Sequence, residues 1–332
     1  MSEVIDVHSH LYPRRYVERL KRRRRLPRFV GERGSERFRI FPEEERQQGG
    51  RTIGPEFWEP DLKLLFMDRY GIDRTVVSLG NPWLDPIGPK ESVSLARGVN
   101  RDFDAMAART RGRLVGLGVL PNDVPAAVHE VAWAKQQTEL RGFISGPHLC
   151  GFKLDRTELE PLWVALESSG LTLFVHPAYA AFLSELEGYG HMLPVAIGFP
   201  TETTVALVRM AVAGVLDRHP RLKILAAHGG GTVPFLAGRI DAGVRSDDFV
   251  GSQLSRLPSE ALRTIYMDAL VYHPRALRAL ADLVGEGHMA FGTDHPFGIA
   301  DPARNLDAIR ATFSRAQTAA VLETTAIDLF DL

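Results

Sequence analysis

Near the N-terminus stands Asp6-Val7-His8-Ser9-His10. Residues i and i+2 of a strand share a face, so the two imidazoles point the same way and can serve together as ligands for a divalent metal. Alone, the H-x-H spacing describes hydrogen-bonded pocket histidines equally well. Three further segments carry related chemistry: Phe174-Val175-His176-Pro177, Ala226-Ala227-His228-Gly229-Gly230-Gly231 and Gly292-Thr293-Asp294-His295-Pro296-Phe297. Each closes a short apolar run. If those runs are parallel strands of one barrel, all four ends converge on one mouth, and so many desolvated polar groups require a shared partner.

The elements that must position these residues follow from the apolar pattern. Short, continuous β-rich runs predict strands over 4–8, 74–79, 114–119, 140–145, 171–175, 223–227, 265–270 and 289–292. Helical patterns lie between them over 61–70, 92–110, 124–138, 158–169, 202–217, 232–243, 274–284 and 302–314, closed by Tyr70-Gly71, Ser169-Gly170 and His219-Pro220. Eight such alternations point to an α/β protein, a (β/α)8 barrel occupying residues 1–332 as one domain. An open doubly wound sheet competes, but no G-x-G-x-x-G follows a strand. Residues 14–60 interrupt the repeat after the first strand, and residues 178–200 lengthen the connection after the fifth. Long connections in a barrel form pocket walls or lids. The basic stretch from Arg14 to Arg28 is interspersed with Tyr16, Val17 and Leu20 and reads as a solvated helix face. Residues 315–332 read as a terminal helix packed on the outside.

Composition narrows the function classes. In 332 residues, 40 Lys+Arg balance 41 Asp+Glu, with 45% hydrophobic and 24% charged residues. That is ordinary globular usage and gives no global charge for nucleic acid or an anionic membrane. The single cysteine, Cys150, excludes an internal disulfide and a multi-cysteine metal site, and its reading as a nucleophile is set aside. A reducing, cytoplasmic setting is the expectation, since the N-terminus lacks the basic-then-apolar start of a signal peptide and no long uninterrupted apolar run suggests a membrane span.

At this level the chain resembles the amidohydrolase superfamily, and within it the α-amino-β-carboxymuconate-ε-semialdehyde decarboxylase family. The resemblance rests on the opening I-D-V-H-S-H, the F-V-H-P strand end, R-L-K-I-L-A-A-H-G-G-G, Y-M-D followed by H-P-R-A-L, and F-G-T-D-H-P-F. It implies that His8, His10, His176 and Asp294 are the metal ligands and that His228 activates bound water or acts as acid/base, with Asp294 as a second candidate for moving the proton. It implies that Arg51 and Arg239 hold a substrate carboxylate, Arg239 from a neighbouring subunit of a homodimer. No lysine lies in the strand-4 run Leu140–Gly146, which favours one metal ion over two, and His8 stands where manganese-using phenol decarboxylases have glutamate. Zinc is therefore expected ahead of manganese. Three neutral imidazoles and a carboxylate would leave an open coordination position, and bound water would ionise near pH 7.

The residues that choose the substrate depart from the family pattern. His191 sits where an aromatic is often found and His295 where a tyrosine is common. Trp83, His148 and His191 are candidate pocket residues, with His273 a further candidate on the mouth side. His129, His219 and His288 read as structural, and Asp268 as an interior hydrogen-bonding residue. The expected activity is a metal-dependent non-oxidative decarboxylation of a small unsaturated or aromatic carboxylic acid. The alternative is a hydrolase or hydratase acting on a lactone, amide or C=C bond with the same ligands. No nucleic-acid or membrane partner is expected.

Overall fold

The computed structural model describes residues 3–32, 34–251 and 254–332. Its strands, in chain order, are β1 (Ile5–Leu11), β2 (Arg28–Val30), β3 (Arg37–Arg39), β4 (Arg51–Thr52), β5 (Arg74–Leu79), β6 (Leu114–Gly116) and β7 (Gly118–Val119). They continue as β8 (Gly142–Ser145), β9 (His148–Leu149), β10 (Phe152–Lys153), β11 (Thr172–Val175), β12 (Ile224–Ala226), β13 (Tyr266–Asp268) and β14 (Met289–Ala290). Parallel pairing runs β1-β5-β6 in one sheet and β7-β8-β11-β12-β13-β14 in another. Two junctions close the ring. At one, the Leu117 amide donates to the Val77 carbonyl at 2.8 Å; at the other, Val7 donates to Phe291, Asp294 to His8 and His10 to His295, each at 2.8 Å. Closure rules out the open doubly wound alternative.

The strands are short and almost wholly buried, as a parallel sheet covered on its outer face requires. Eight helices flank them: Pro60–Tyr70, Pro89–Arg109, Val124–Gln137, Glu160–Ser169, Phe199–Val212, Val233–Arg245, Pro274–Val284 and Pro302–Thr312. Every one has proline in its first two positions, where the missing N–H has no intrahelical acceptor to lose. Gly71 and Gly170 end their helices in the left-handed conformation. The helix expected over 202–217 stops at Val212 instead, because Gly214 adopts φ +69° and starts a separate turn, Val215–Arg218. The run Pro194–Val212 has a mean hydropathy of 1.3, high enough for a membrane-crossing helix. It serves as an outer barrel helix, with Thr203, Leu207 and Met210 buried.

Between β1 and β5 the chain builds a helix, Arg14–Lys21, which buries Tyr16, Val17 and Leu20, and then the antiparallel sheet β2-β3-β4. Part of the basic stretch is paired locally: Arg15 with Asp102, Arg19 with Glu91, and Arg14 and Lys21 with the buried Glu36. The C-terminal segment corrects the expectation of an external helix. Arg315–Ala319, a π-turn over Ala320–Thr324 and Thr325–Phe330 lie against the N-terminal ends of the strands. There Thr172 donates to the Leu329 carbonyl, Lys223 to Asp328, and Phe291 to Val321, so the segment closes the barrel floor.

Candidate metal centre

His8 and His10 project from β1 into the barrel mouth, both fully buried. Each has its Nδ1 fixed from behind. His8 Nδ1 donates to Asp268 Oδ2 at 2.6 Å. His10 Nδ1 lies 3.0 Å from Ser78 Oγ, whose own proton goes to the Ser9 carbonyl. His176, at the end of β11, donates Nδ1–H to the Pro177 carbonyl at 2.8 Å. With Nδ1 protonated in all three, the Nε2 lone pairs are free and face one another, the arrangement in which outer acceptors orient imidazole ligands. His8 Nε2 and His10 Nε2 are 3.1 Å apart, and Asp294 Oδ1 lies 3.4 and 3.2 Å from them. Donor atoms of His8, His176, His228 and Asp294 all fall within 4.8 Å of one another.

The electrostatics of this cluster favour a positive charge at its centre. Burial disfavours a charged His8, yet the Asp294 and Asp268 carboxylates outweigh it and raise its pKa to about 10. Burial lowers His10 to about 4 against the pull of Asp294, and holds His176 well below its usual range with the neighbouring imidazoles adding to the effect. Burial would also raise Asp294, but the charge on His8 and the adjacent His10 and His228 imidazoles hold it well below the usual carboxylate range. Among the described residues, His176 Nε2 and Asp294 Oδ1 are buried without a hydrogen-bond partner. Such orphaned atoms in a polar cluster fit a bound divalent ion, which would take the place of the His8 proton.

His228 differs from the other imidazoles. Its Nε2 is 3.7 Å from Asp294 Oδ2, but among the described residues its Nδ1 has no acceptor to pin its tautomer. Its backbone is held instead. Asp268 accepts from the His228 and Gly229 amides at 2.9 Å each and from Leu270 at 3.1 Å, besides His8. This network keeps His228 at φ +55°, and Asp294 stands at +59°; such backbone persists only where the surroundings over-determine it. Asp268 is thus the interior hub that joins a β1 histidine to the His228 turn. The glycines after His228 are required by close packing. A Cβ at Gly230 would strike Met267, and one at Gly231 the Pro200 carbonyl, so the close approach is to the barrel wall and the preceding helix.

Above the cluster opens a cavity of about 590 Å³ lined by His176, His228 and Asp294 on its floor, Arg51 and Asn81 at its side, and Phe57, Phe199 and Phe297 among its apolar walls. The Arg51 guanidinium stacks over Phe297 at 4.5 Å. His191 also lines it and pairs with the buried Glu44 at 2.6 Å; Glu44 in turn accepts from the Ile40 and Phe41 amides. The remaining candidates fall elsewhere. His148 is exposed on the β9-β10 hairpin and does not line the cavity, because that hairpin turns outward. Trp83 is buried, donates to the Leu79 carbonyl and packs edge-on against His176 at 5.9 Å, so it supports a histidine instead of walling the pocket. Arg239 is exposed on the helix Val233–Arg245, outside this chain's cavity. His273 caps the helix Pro274–Val284, and His219 pairs with Glu160. Burial pushes the Cys150 thiol up to about 12, leaving no thiolate at neutral pH.

Residues 5–332 match the amidohydrolase family profile. The chain belongs to the amidohydrolase family. Among the relatives of this amidohydrolase, the 2-amino-3-carboxymuconate-6-semialdehyde decarboxylase of Dictyostelium discoideum is 29% identical over 268 residues, covering 78% of this chain and 73% of that protein. The Metarhizium anisopliae IDCase, solved in apo form, superposes with a TM-score of 0.93 at 32% identity over 99% of this chain and 97% of that one. A dihydroxybenzoic acid decarboxylase from Polaromonas sp. JS666, solved with manganese and the inhibitor 2-nitroresorcinol, shares the fold at 18% identity, with a TM-score of 0.80 over 100% and 98% of the two chains.

Sequence reasoning missed the supporting residues. Ser78, Glu44 and Lys63 lie far from any motif, and only Lys63 left a signal: a cation inside an otherwise apolar helical run, Leu62–Met67.

Proposed function

We propose that this amidohydrolase is a metal-dependent decarboxylase that removes CO2 from a small aromatic or unsaturated carboxylic acid without oxidation. The observation that carries this reading is the convergence of three tautomer-locked imidazoles and Asp294 on the floor of a cavity that also presents Arg51. The decarboxylase relatives support it, including one that acts on a muconate semialdehyde and one on a dihydroxybenzoic acid.

His8, His10, His176 and Asp294 would hold one divalent ion. Bound there, the ion supplies a Lewis acid that takes up the negative charge left when CO2 departs. We assign zinc, on the strength of the three-imidazole donor set; the manganese in the Polaromonas relative makes manganese the competing result of a metal analysis. Arg51 donates its planar fork to the substrate carboxylate, and the phenyl rings of Phe57, Phe199 and Phe297 hold a flat carbon skeleton. His228, whose tautomer is not fixed by an acceptor among the described residues, delivers a proton to the carbon that loses CO2. His191, oriented by Glu44, meets a second polar group of the substrate.

We read residues 1–332 as a single barrel domain of the metal-dependent hydrolase type, with 14–60 as a pocket wall inserted after the first strand; β4 places Arg51 in the cavity. We also propose a homodimer in the cytoplasm. Phe235 is 88% exposed and lies one turn before Arg239 on the same helix face, which fits a second subunit covering both.

The test is metal analysis followed by a screen of carboxylated phenols and muconate semialdehydes for CO2 release in labelled water. CO2 release with no solvent oxygen in the remaining product supports decarboxylation. Solvent oxygen in the product without CO2 release would overturn it in favour of hydrolysis or hydration.

A further inference from the structure

Lys63 is fully buried, on the inner face of the helix Pro60–Tyr70, while Leu65 of the same helix is 62% exposed. A helix that turns a lysine inward and a leucine outward works against the hydrophobic effect. The ammonium meets the Ser9 hydroxyl oxygen at 2.7 Å, His295 Nδ1 at 2.7 Å and the carbonyls of His10 and His295 at 3.0 Å. All four act as acceptors, since the Ser9 proton is already given to the His295 carbonyl. Among the described residues no carboxylate lies within ion-pair distance of it; burial lowers its pKa to about 7, and these hydrogen bonds, with the more distant Asp6 and Asp294 carboxylates, offset part of the cost of burying the charge.

These acceptors sit at one place in the fold. Ser9 and His10 belong to β1, and His295 follows Asp294 after β14. The two segments come from different sheets and meet at the barrel seam, where an isolated bridge pairs Ser9 with His295. Within each sheet a ladder fixes neighbouring strands; here only a few backbone bonds do. The candidate ligands are divided across this seam, His8 and His10 on one side and Asp294 on the other. The helix that carries Lys63 also grips His295 with Phe66, whose ring stacks on the imidazole at 3.7 Å.

We propose that Lys63 is a positioning residue: its ammonium clamps the barrel seam and thereby sets the separation of the His8–His10 pair from Asp294. This rests on the reading of those three residues as metal ligands. It touches no substrate and acts through the His10 and His295 carbonyls, the Ser9 hydroxyl and the His295 ring.

The experiment measures Zn2+ affinity by chelator competition, and the visible spectrum of the Co2+-loaded protein, for the native chain, Lys63→Met and Ser9→Ala. Ser9→Ala keeps the lysine but removes the hydroxyl that joins it to the His295 carbonyl. The expected result is a native fold by circular dichroism with Zn2+ affinity lowered about 10- to 100-fold in Lys63→Met, a smaller loss in Ser9→Ala, and an altered Co2+ spectrum in both. A Lys63→Met protein that melts at lower temperature yet binds Zn2+ with native affinity and an unchanged Co2+ spectrum would reduce Lys63 to a stabilising role and overturn the proposal. If Lys63→Met does not fold, Ser9→Ala decides in the same way. A native chain that binds neither ion would overturn the ligand reading itself, and the clamp with it.

Discussion

His228 and His176 stand side by side, ring centroids 5.2 Å apart, yet their surroundings assign them different chemistry. His176 donates Nδ1–H to a carbonyl and must present Nε2 as a lone pair; among the described residues His228 Nδ1 has no such acceptor, so its tautomer is not fixed. His228→Ala should therefore retain bound metal and lower kcat by about a hundredfold or more; near-native turnover would remove His228 from the proton transfer. Asp268→Asn should act oppositely. Weakening the acceptor behind His8 should lower metal affinity about 10- to 100-fold, read by chelator titration, and undiminished affinity would mean that His8 needs no carboxylate behind it.

At the scale of elements, the turn after β12 holds His228 in place by packing as much as by hydrogen bonding. Gly231 adopts φ +71°, and a Cβ there would collide with the Pro200 carbonyl oxygen at the start of the preceding helix, Phe199–Val212. Gly231→Ala should cost roughly 2–4 kcal/mol, seen as a lower midpoint in urea unfolding; a midpoint equal to the native one would show that the turn has room to shift. The proline at the start of each barrel helix and the glycines after Tyr70 and Ser169 mark element boundaries in the sequence itself, which is why most helices begin and end within a few residues of their expected positions. The strands after 223, 265 and 289 are shorter than their apolar runs, since the residues beyond Asp268 and Ala290 leave the ladder to reach the mouth.

Over the whole molecule, the segment between β1 and β5 is tied down by Glu36, which is fully buried and accepts from Arg14 at 3.0 Å, Lys21 at 3.0 Å and the Gly34 amide at 2.6 Å. Burial alone would raise its carboxyl, but these donors outweigh it and hold the pKa at about 2 against an ordinary 4.5. A depressed carboxylate stabilises the fold above the unfolded-state value and loses that contribution as pH falls from about 4.5 toward 2. With Arg14 and Lys21 partly solvated, the contribution is about 2 kcal/mol at neutral pH. The melting temperature should fall steeply below pH 4.5, and less steeply in Glu36→Gln; parallel curves for the two proteins would discount the ion cluster. For the proposed dimer, Phe235→Asp should shift sedimentation to a monomer while metal content is kept, and an unchanged sedimentation coefficient would place the subunit contact on another face.

The sequence by itself determined the barrel and the histidine and aspartate cluster, because both are local codes. Apolar runs of strand length alternate with helical patterns, and H-x-H, V-H-P, A-H-G and T-D-H each sit at the end of such a run, where a parallel barrel leaves its side chains in the mouth. Tertiary structure alone decided which imidazole nitrogens are free, since that depends on acceptors distant in the chain: Asp268 lies 260 residues from His8, and Ser78 lies 68 from His10. It also turned His148 outward on a hairpin, put Trp83 behind His176 and made Lys63 the brace of the seam. Those outcomes follow from which surfaces meet across the barrel, and no periodicity along the chain records that.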